Sequence, residues 1–415
     1  MKDEKKAPKL RFKGFTDDWE QCKLSSMTQY KNGKGHEDKQ TDSGDFELVN
    51  LNSISIDGGF KHSGKFVNES DGEILYKNDL VMILSDVGHG DLLGRVALIP
   101  DDNKFILNQR VALLRPNKTA NPEFLFFYIN SHQKYFKSQG AGMSQLNISK
   151  KSVETFSSLV PNIDEQKKIS LFLMKLDSLI TLHEEKKRQL ERLKSALLQK
   201  MFADENGNPA VRFKGFSEAW VSRKLFDVIV KIIDFRGRTP KKMGLNWSER
   251  GHLALSALNV KDGYIDFSTD AHYANEILYK KWMSGNELLK GQVLFTTEAP
   301  MGNVAQVPDN GGYVLSQRTI SFVSNNSKIT DNFLAVVLRS SKVQRALSTL
   351  ASGGTAKGVS QSTLSQLIMV IPISLDEQQK IERIIGIVEE LTRLYQNKLE
   401  ILTELKKSLL QNMFI

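Results

Sequence analysis

Basic residues surround a glycine and a proline in the stretch DFRGRTPKKMGLNW, in the second half of the chain. Such a loop can approach DNA phosphates, and arginine can also donate two hydrogen bonds to a guanine edge in the major groove. Its candidate DNA-binding residues are Arg236, Arg238, Thr239, Lys241 and Lys242. The counterpart in the first half, KNGKGHEDKQ, supplies Lys31, Lys34 and His36 but lacks the proline. The alternative for both stretches is a solvated basic turn.

A glutamine–arginine pair recurs at equivalent places in the two halves. Gln109-Arg110 and Gln317-Arg318 each open a short β-rich run, RVALLRP or RTISFV. Glutamine can pair with adenine and arginine with guanine, so both pairs are candidates for base contact. A pair shared by two segments that read different bases can equally be structural.

Two further pairs of loops differ between the halves while their flanks match, as loops that determine specificity should. The first pair is SDVGHGDLLG and TTEAPMGN, and the second is GAGMSQLN and GGTAKG. Asp and Glu can accept from cytosine N4, and the glycines would let backbone amides meet phosphate. The candidates are Ser85, Asp86, His89, Ser144, Gln145, Asn147, Thr297, Glu298, Asn303, Thr355 and Lys357. A plain flexible loop is the alternative for each.

No catalytic motif is found. The sequence lacks GxxxxGK[ST], GxGxxG, HExxH, GxSxG and the Asn/Asp-Pro-Pro-aromatic tetrapeptide of amino-methyltransferases. Glu165 and Lys167 have the Glu-x-Lys spacing of metal-dependent nucleases, but they lie at a predicted helix start and the lysine becomes glutamine in the other half. With one cysteine, Cys22, no CxxC site can form. We therefore predict neither a catalytic nor a metal site.

The elements that must position these residues occur twice. LRFKGFTDDW from Leu10 is answered by VRFKGFSEAW from Val211, DEQKKI by DEQQKI, and LKSALLQKMF by LKKSLLQNMF, all in the same order. The ordered repetition predicts a tandem duplication of an α+β module with a small, mostly antiparallel sheet. We expect RFKGF to be architectural, with its phenylalanines anchoring each module, and the runs NPEFLFFYINSHQKYFKSQ and DNFLAVVLRSSKVQRALSTL to be single helices.

Each module is followed by a predicted helix of about 40 residues. Asn162 with Glu165 and Ser374 with Glu377 have the spacing of helix N-caps. Apolar residues then recur every three or four positions, as in a coiled coil. One stripe is Ile169, Phe172, Leu173, Leu176, Ile180, His183, Leu190, Leu193, Leu197 and Met201, with the charged run HEEKKRQ interrupting its middle. The other stripe is Ile381, Ile384, Ile385, Val388, Leu391, Tyr395, Leu399, Leu402, Leu405, Leu409 and Met413. We expect an antiparallel pair that acts as a spacer of fixed length.

These patterns predict four regions: recognition modules at 1–160 and 206–371, and helical regions at 161–205 and 372–415. The formal net charge of +9 lies almost wholly in 206–371, which carries 20 Lys+Arg against 12 Asp+Glu. A polyanionic partner is therefore indicated chiefly for the second module. The charged start and the lack of an apolar run near 18 residues predict a cytoplasmic protein without a membrane span.

Two different modules, each followed by a long helix that opens with Pro and DEQ and closes with LLQ-x-MF, resemble the specificity subunit of type I restriction-modification systems. Thr239-Pro240 also matches the Gly-x-Thr-Pro turn often found in that family. The resemblance covers essentially the whole chain. It implies two target recognition domains on an antiparallel coiled-coil spacer, in a pseudo-twofold duplicated chain, and it implies double-stranded DNA as the ligand.

The resemblance also implies that catalysis belongs to partner subunits. Two methyltransferase (modification) subunits would bind S-adenosylmethionine, and two restriction/translocase subunits, where present, would use ATP and Mg; no cofactor is expected in this chain. Two different readers on one rod would make the DNA site asymmetric and bipartite. The rival interpretations are a self-sufficient DNA enzyme and a duplicated coiled-coil scaffold that binds protein.

Overall fold

The computed structural model describes residues 7–68, 72–87, 90–143, 145–203, 207–269, 272–351 and 358–414. The chain divides into two compact units. The first unit comprises residues 1–184 and 397–415, and the second unit comprises residues 185–396. Each unit therefore combines one globular region with segments of both long helices.

The first unit has an α+β fold. Its strands are β1 Glu20–Lys23, β2 Thr28–Asn32, β3 Phe46–Val49, β4 Phe66–Val67, β5 Ile74–Leu75, β6 Leu80–Ile83, β7 Ser85–Val87, β8 Val96–Leu98, β9 Phe105–Leu107, β10 Val111–Pro116, β11 Gln145–Asn147 and β12 Ser157–Val160. Its helices are α1 Leu24–Met27, α2 Pro122–Ser131, α3 Gln133–Ser138, α4 Lys150–Thr155 and the first part of α5 Ile163–Lys200, with short 3-10 turns at Glu37–Lys39 and Leu51–Ser53.

The second unit repeats this plan. Its strands are β13 Val221–Lys224, β14 Ile229–Asp234, β15 His252–Leu255, β16 Tyr273–Ala274, β17 Val293–Thr296, β18 Val304–Gln306, β19 Val314–Leu315, β20 Thr319–Ser324 and β21 Ile368–Ile371. Its helices are α6 Leu225–Val228, α7 Glu276–Met283, α8 Asp331–Arg339, α9 Ser341–Leu350, α10 Gln361–Leu364 and the first part of α11 Leu375–Met413, with a 3-10 turn at Lys241–Met243.

Corresponding sheets have corresponding strand orders. The main antiparallel sheet runs β2-β10-β6-β8 in the first unit and β14-β20-β17-β18 in the second. The pair β1-β12 matches β13-β21, and the parallel pair β3-β9 matches β15-β19. This agreement confirms the predicted duplication of an α+β module.

Both faces of the main sheet are covered, which explains the unbroken apolar runs in its central strands. Along β6, Leu80 and Met82 join the core formed with α2, whereas Val81 and Ile83 join a second core on the opposite face. Successive side chains of a strand point to opposite faces, so a strand buried on both sides needs apolar residues at every position.

The two runs predicted as single helices are each broken into two, so that prediction was wrong. In the second unit Ser340 is extended, with φ −61° and ψ 145°, and its side chain accepts from the amide of Val343 to cap α9. In the first unit His132 separates α2 from α3. Serine competes for backbone hydrogen bonds, which makes it a helix cap rather than an interior residue here.

The predicted caps of the long helices are present. Asn162 Oδ1 accepts from the Glu165 amide at 3.0 Å, and Ser374 Oγ accepts from the Glu377 amide at 3.4 Å. The carboxylate of Glu165 pairs with another partner, because Arg11 of the RFKGF motif donates to it twice, through Nε and Nη2, each at 2.7 Å.

The same link occurs in the second unit. Arg212 donates to Glu377 at 2.7 and 2.9 Å. RFKGF is therefore tied to DEQ in both units, which agrees with its predicted architectural role. The phenylalanines of the RFKGF motif are half-buried. Phe12 packs edge-on against Phe172, and the Lys380 ammonium lies 4.7 Å from the centre of the Phe216 ring.

In each unit the end of one long helix shares a core with the start of the other. In the first unit Leu409 and Met413 pack in the core that contains Leu173 and Leu176. In the second unit Met201 packs in the core that contains Ile381 and Ile385. The long helices therefore pair in antiparallel fashion within each unit, as predicted. Four residues of the predicted stripes are instead exposed: Phe172, Leu193, Leu391 and Leu405.

Candidate nucleic-acid interface

The glutamine–arginine pairs form one turn with the same backbone in both units. Arg110 has φ 66° and Arg318 has φ 64°, which is the left-handed region. This conformation costs a residue other than glycine about 1–2 kcal/mol. The turn is held from the neighbouring strand, since the Leu84 amide donates to Arg110 O at 2.9 Å and the Thr297 amide donates to Arg318 O at 2.8 Å.

A third segment hydrogen-bonds to the same strand, and the three segments form a shared backbone frame in each unit. The Ile148 amide donates to Leu84 O, and the Val359 amide donates to Thr297 O, each at 2.9 Å. The two residues that follow, Ser149 and Ser360, both cap a short helix. The arginine turn, the loop after the central strand and the stretch before the capping serine thus meet in each unit. Within the described residues, the segments after Leu84 and Thr297 and those at Ile148 and Val359 therefore have the same backbone pairing in both units.

This frame makes individual positions of the two units comparable. Ser85 follows Leu84 and pairs with Asn147, whereas Glu298 follows Thr297 and pairs with Gly358. Ser85 and Glu298 are therefore equivalent positions with different chemistry. Ser85 Oγ donates to Asn147 Oδ1 in the first unit, and in the second unit Arg318 Nε lies 3.2 Å from Glu298 Oε1.

In the second unit the basic loop reaches the arginine turn. Gln317 Nε2 donates to Arg238 O at 3.4 Å, and the guanidinium carbon of Arg238 lies 4.0 Å from the centre of the Phe235 ring. A pocket of about 410 Å³ lies between them, with Arg238, Thr239, Lys241, Gln317, Arg318 and Trp247 among its lining residues. Five predicted site residues therefore share one concave surface with an aromatic ring.

Arg236 and Lys242 are held by local contacts beside this pocket. Arg236 donates to Asp234 through Nε at 2.9 Å, and Lys242 Nζ donates to Gly237 O at 2.9 Å. Burial opposes ionisation of Asp234, but Arg236 and the hydrogen bond from Gln361 together outweigh burial and hold the pKa of Asp234 below its usual range. The Asp234 carboxylate therefore orients the Arg236 side chain.

Two predicted candidates of the second unit support the loop. Thr297 is 1% exposed, and its hydroxyl donates to Arg318 O at 3.2 Å. Asn303 Nδ2 donates to Val260 O at 2.9 Å. Thr297 therefore holds the backbone of the arginine turn, and Asn303 holds the backbone at Val260.

The first-unit candidates from the variable loops also come together. Gln145 and Asn147 lie in β11, which pairs with β7, the strand that carries Ser85 and Asp86. Asp86 Oδ2 accepts from the Leu92 amide at 3.0 Å, and Asn147 Nδ2 donates to Gln145 O at 3.1 Å. The side chain of Gln109 donates to Glu37.

The candidates from KNGKGHEDKQ do not form one basic loop. Lys31 lies within β2, and its Nζ is 2.7 Å from Glu73 Oε2. His36 is 1% exposed, whereas Lys34 is exposed. The strand TQYKN ends at Asn32, so Lys31 belongs to the sheet, whereas Lys34 and His36 follow it.

The remaining candidates, His89, Ser144, Thr355 and Lys357, lie outside the described residues. Within the described ranges, no three His, Cys, Asp or Glu residues are grouped so as to hold a metal ion. Among the described residues, no helix has both the length and the apolar character needed to cross a membrane. Trp247 and His272, which also line the pocket of the second unit, were not predicted as site residues.

Comparisons with known proteins agree with this duplicated architecture. A family model described as the type I restriction modification DNA specificity domain matches residues 16–192 and 218–406. The type I restriction enzyme MjaVIII specificity subunit of Methanocaldococcus jannaschii is 23% identical over 410 residues, covering 95% of this chain and 91% of the relative.

Solved structures give the same result for the fold. The crystal structure of a type I restriction-modification S subunit from M. genitalium matches with a TM-score of 0.66 and 16% identity, covering 99% of each chain. A chain from a structure described as the basis of complex assembly and conformational transition of the type I R-M system matches with a TM-score of 0.51 and 16% identity, covering 95% of this chain and 97% of that one.

Proposed function

Because the chain belongs to the family of type I restriction-modification DNA specificity domains, a family of non-catalytic subunits, we propose that its two units read the two words of an asymmetric, bipartite DNA site. The observation that carries this proposal is the shared frame with different residues. Ser85 and Asn147 occupy the positions that Glu298 and Gly358 occupy in the second unit. The shared backbone frame would present side chains to DNA in the same geometry in both units. Different side chains at equivalent positions would then select different bases.

The reading surface of the second unit would combine phosphate contact with base contact. Lys241 and Lys242 are exposed and would neutralise phosphates. Arg238, Gln317 and Arg318 line the pocket together with Lys241. Phosphate contacts fix position on the duplex and base contacts supply sequence information. We retain residues 1–160 and 206–371 as the recognition domains, and 161–205 and 372–415 as the helical regions.

The long helices would set the gap between the two words and dock the partners. α5 has 38 residues and α11 has 39, so each is about 57 Å long at 1.5 Å per residue. Exposed apolar side chains remain on both: Leu171, Met174, Leu179, Leu182, Ile387, Leu394 and Ile401. Exposed apolar surface of this kind is typical of protein interfaces. We assign it to the two methyltransferase subunits, with the restriction/translocase subunits joining where present.

The test is a genome-wide map of adenine methylation in the source cell with the gene intact, deleted and restored. Loss of one two-part motif on deletion, and its return on restoration, supports the proposal and gives both words and the gap. If no motif changes, the complex co-expressed with its methyltransferase is titrated with duplex DNA at several salt concentrations. Affinity that falls steeply with salt indicates phosphate neutralisation, whereas absence of duplex binding contradicts the proposal and favours a protein scaffold.

A further inference from the structure

The ion pair of Arg318 and Glu298 is half-exposed and the backbone of Arg318 is strained, two properties that stability does not explain. Their side chains are 54% and 46% exposed, and exposed ion pairs contribute little to folding. Arg318 has φ 64°, in the left-handed region. Backbone strain that the surrounding structure maintains is concentrated at functional sites. The pair therefore has the properties of a recognition element.

The donors and acceptors of this pair match one base pair. In the major groove a G·C pair presents the acceptors N7 and O6 of guanine beside the N4 donor of cytosine. Arg318 contacts Glu298 through Nε, and the guanidinium has four further N–H donors on its two terminal nitrogens. Those donors suit N7 and O6, and the carboxylate of Glu298 suits N4.

We infer that Arg318 and Glu298 together read one G·C base pair in the word of the second unit, an inference that rests on the proposed function. Before DNA binds, Glu298 holds the guanidinium in place, which reduces the ordering needed on binding. Replacement of G·C by A·T turns O6 into an N6 donor facing Arg318 and N4 into an O4 acceptor facing Glu298. Both contacts then become repulsive, so both residues contribute to discrimination.

The first unit provides the matched comparison. Arg110 has the same conformation, but the position of Glu298 is occupied by Ser85, which donates to Asn147. No carboxylate stands at that position to accept from cytosine N4. The test variant E298S therefore places the first unit's residue on the second unit's frame. Because Glu298 is exposed, this change leaves the core intact.

The experiment uses the chain co-expressed with its methyltransferase subunits. Methylation maps and affinities for duplexes carrying each substitution of every recognised base pair are compared for wild type, E298S and R318G. R318G removes the guanidinium while suiting the left-handed backbone, so it keeps the fold. E276S is the control, because Glu276 is exposed and pairs with Lys280 and His252 elsewhere in the second unit.

We expect the wild type to prefer G·C at one position in one half of the DNA site. E298S and R318G should each lower that preference by about 5- to 150-fold. E276S should leave it unchanged. A bipartite motif whose every position is unaffected by E298S and R318G overturns this inference and leaves the proposed function standing. A wild-type complex without any two-part motif or duplex binding overturns the proposed function itself.

Discussion

Replacing Arg11 with alanine should destabilise the first unit by about 3 kcal/mol. The Glu165 side chain is fully buried, at 0% exposed, and Arg11 donates to both of its oxygens. Removing one partner of a buried ion pair leaves an uncompensated buried charge, at a cost of about 3–5 kcal/mol. Arg11 itself is 13% exposed, which places the expected loss at the lower end of that range.

The second unit supplies an internal comparison, because Glu377 has an additional donor. Trp220 Nε1 donates to Glu377 Oε1 at 3.2 Å. R212A therefore leaves that carboxylate with one hydrogen bond, which to a charged acceptor is worth about 1.5 kcal/mol. We expect R212A to cost about 1.5 kcal/mol, roughly half the cost of R11A.

The assay is urea unfolding of the whole chain followed by hydrogen exchange and mass spectrometry, with peptides from the starts of α5 and α11 reporting on the two units separately. The double variant R11M/E165M is the control, since apolar residues of similar volume replace a buried pair at little cost. An R11A loss under about 1 kcal/mol, or an R212A loss larger than that of R11A, would refute the assignment of these pairs as buried structural links.

Three further outcomes are expected. Burial opposes ionisation of Glu389, but Arg339 and Lys194 outweigh burial and lower the pKa of Glu389 below 4.5. The contribution of this carboxylate to folding stability is therefore present above pH 4.5 and is lost as the pH falls through the lower folded-state pKa. The free energy of unfolding of E389Q should depend less steeply on acid pH than that of the wild type. R110G should change the unfolding free energy by less than about 1 kcal/mol, because relief of the left-handed strain offsets the added chain entropy, yet it should weaken duplex binding measured by fluorescence anisotropy. L182E should reduce co-purification of the methyltransferase while the melting temperature stays unchanged, because Leu182 is exposed on α5; equal recovery of the partner would contradict docking there.

Local signals predicted much of this architecture. The ordered repeats indicated two modules of one fold, and the spacing of Asn162 to Glu165 located the start of α5. The partner of Glu165 could not be predicted in this way, because Arg11 lies 154 residues away in sequence. A glutamate at the third position of a helix is usually interpreted as part of a local cap, and here a tertiary ion pair replaces that role.

The candidate interface shows the same limit. The glutamine–arginine pairs were recognisable because they recur, but their left-handed conformation was not, since that conformation is associated with glycine. Thr297 and Glu298 were both predicted as site residues, but they differ in burial. Thr297 is buried under the turn, while its neighbour Glu298 is half-exposed beside Arg318. Which of two adjacent polar residues faces outward depends on strand register, and register is set by pairing across the sheet.

The division of the chain has a consequence for the order of folding during synthesis. The second unit is one continuous segment, residues 185–396, whereas the first unit is completed by residues 397–415. The core of the first unit contains Leu409 and Met413, and Phe414 packs against Phe124 with ring centres 5.6 Å apart. The ribosome therefore finishes every residue of the second unit before it supplies these side chains. Although the first unit begins earlier, we expect it to reach its native core last, with the aromatic surface around Phe124 uncovered in the interval.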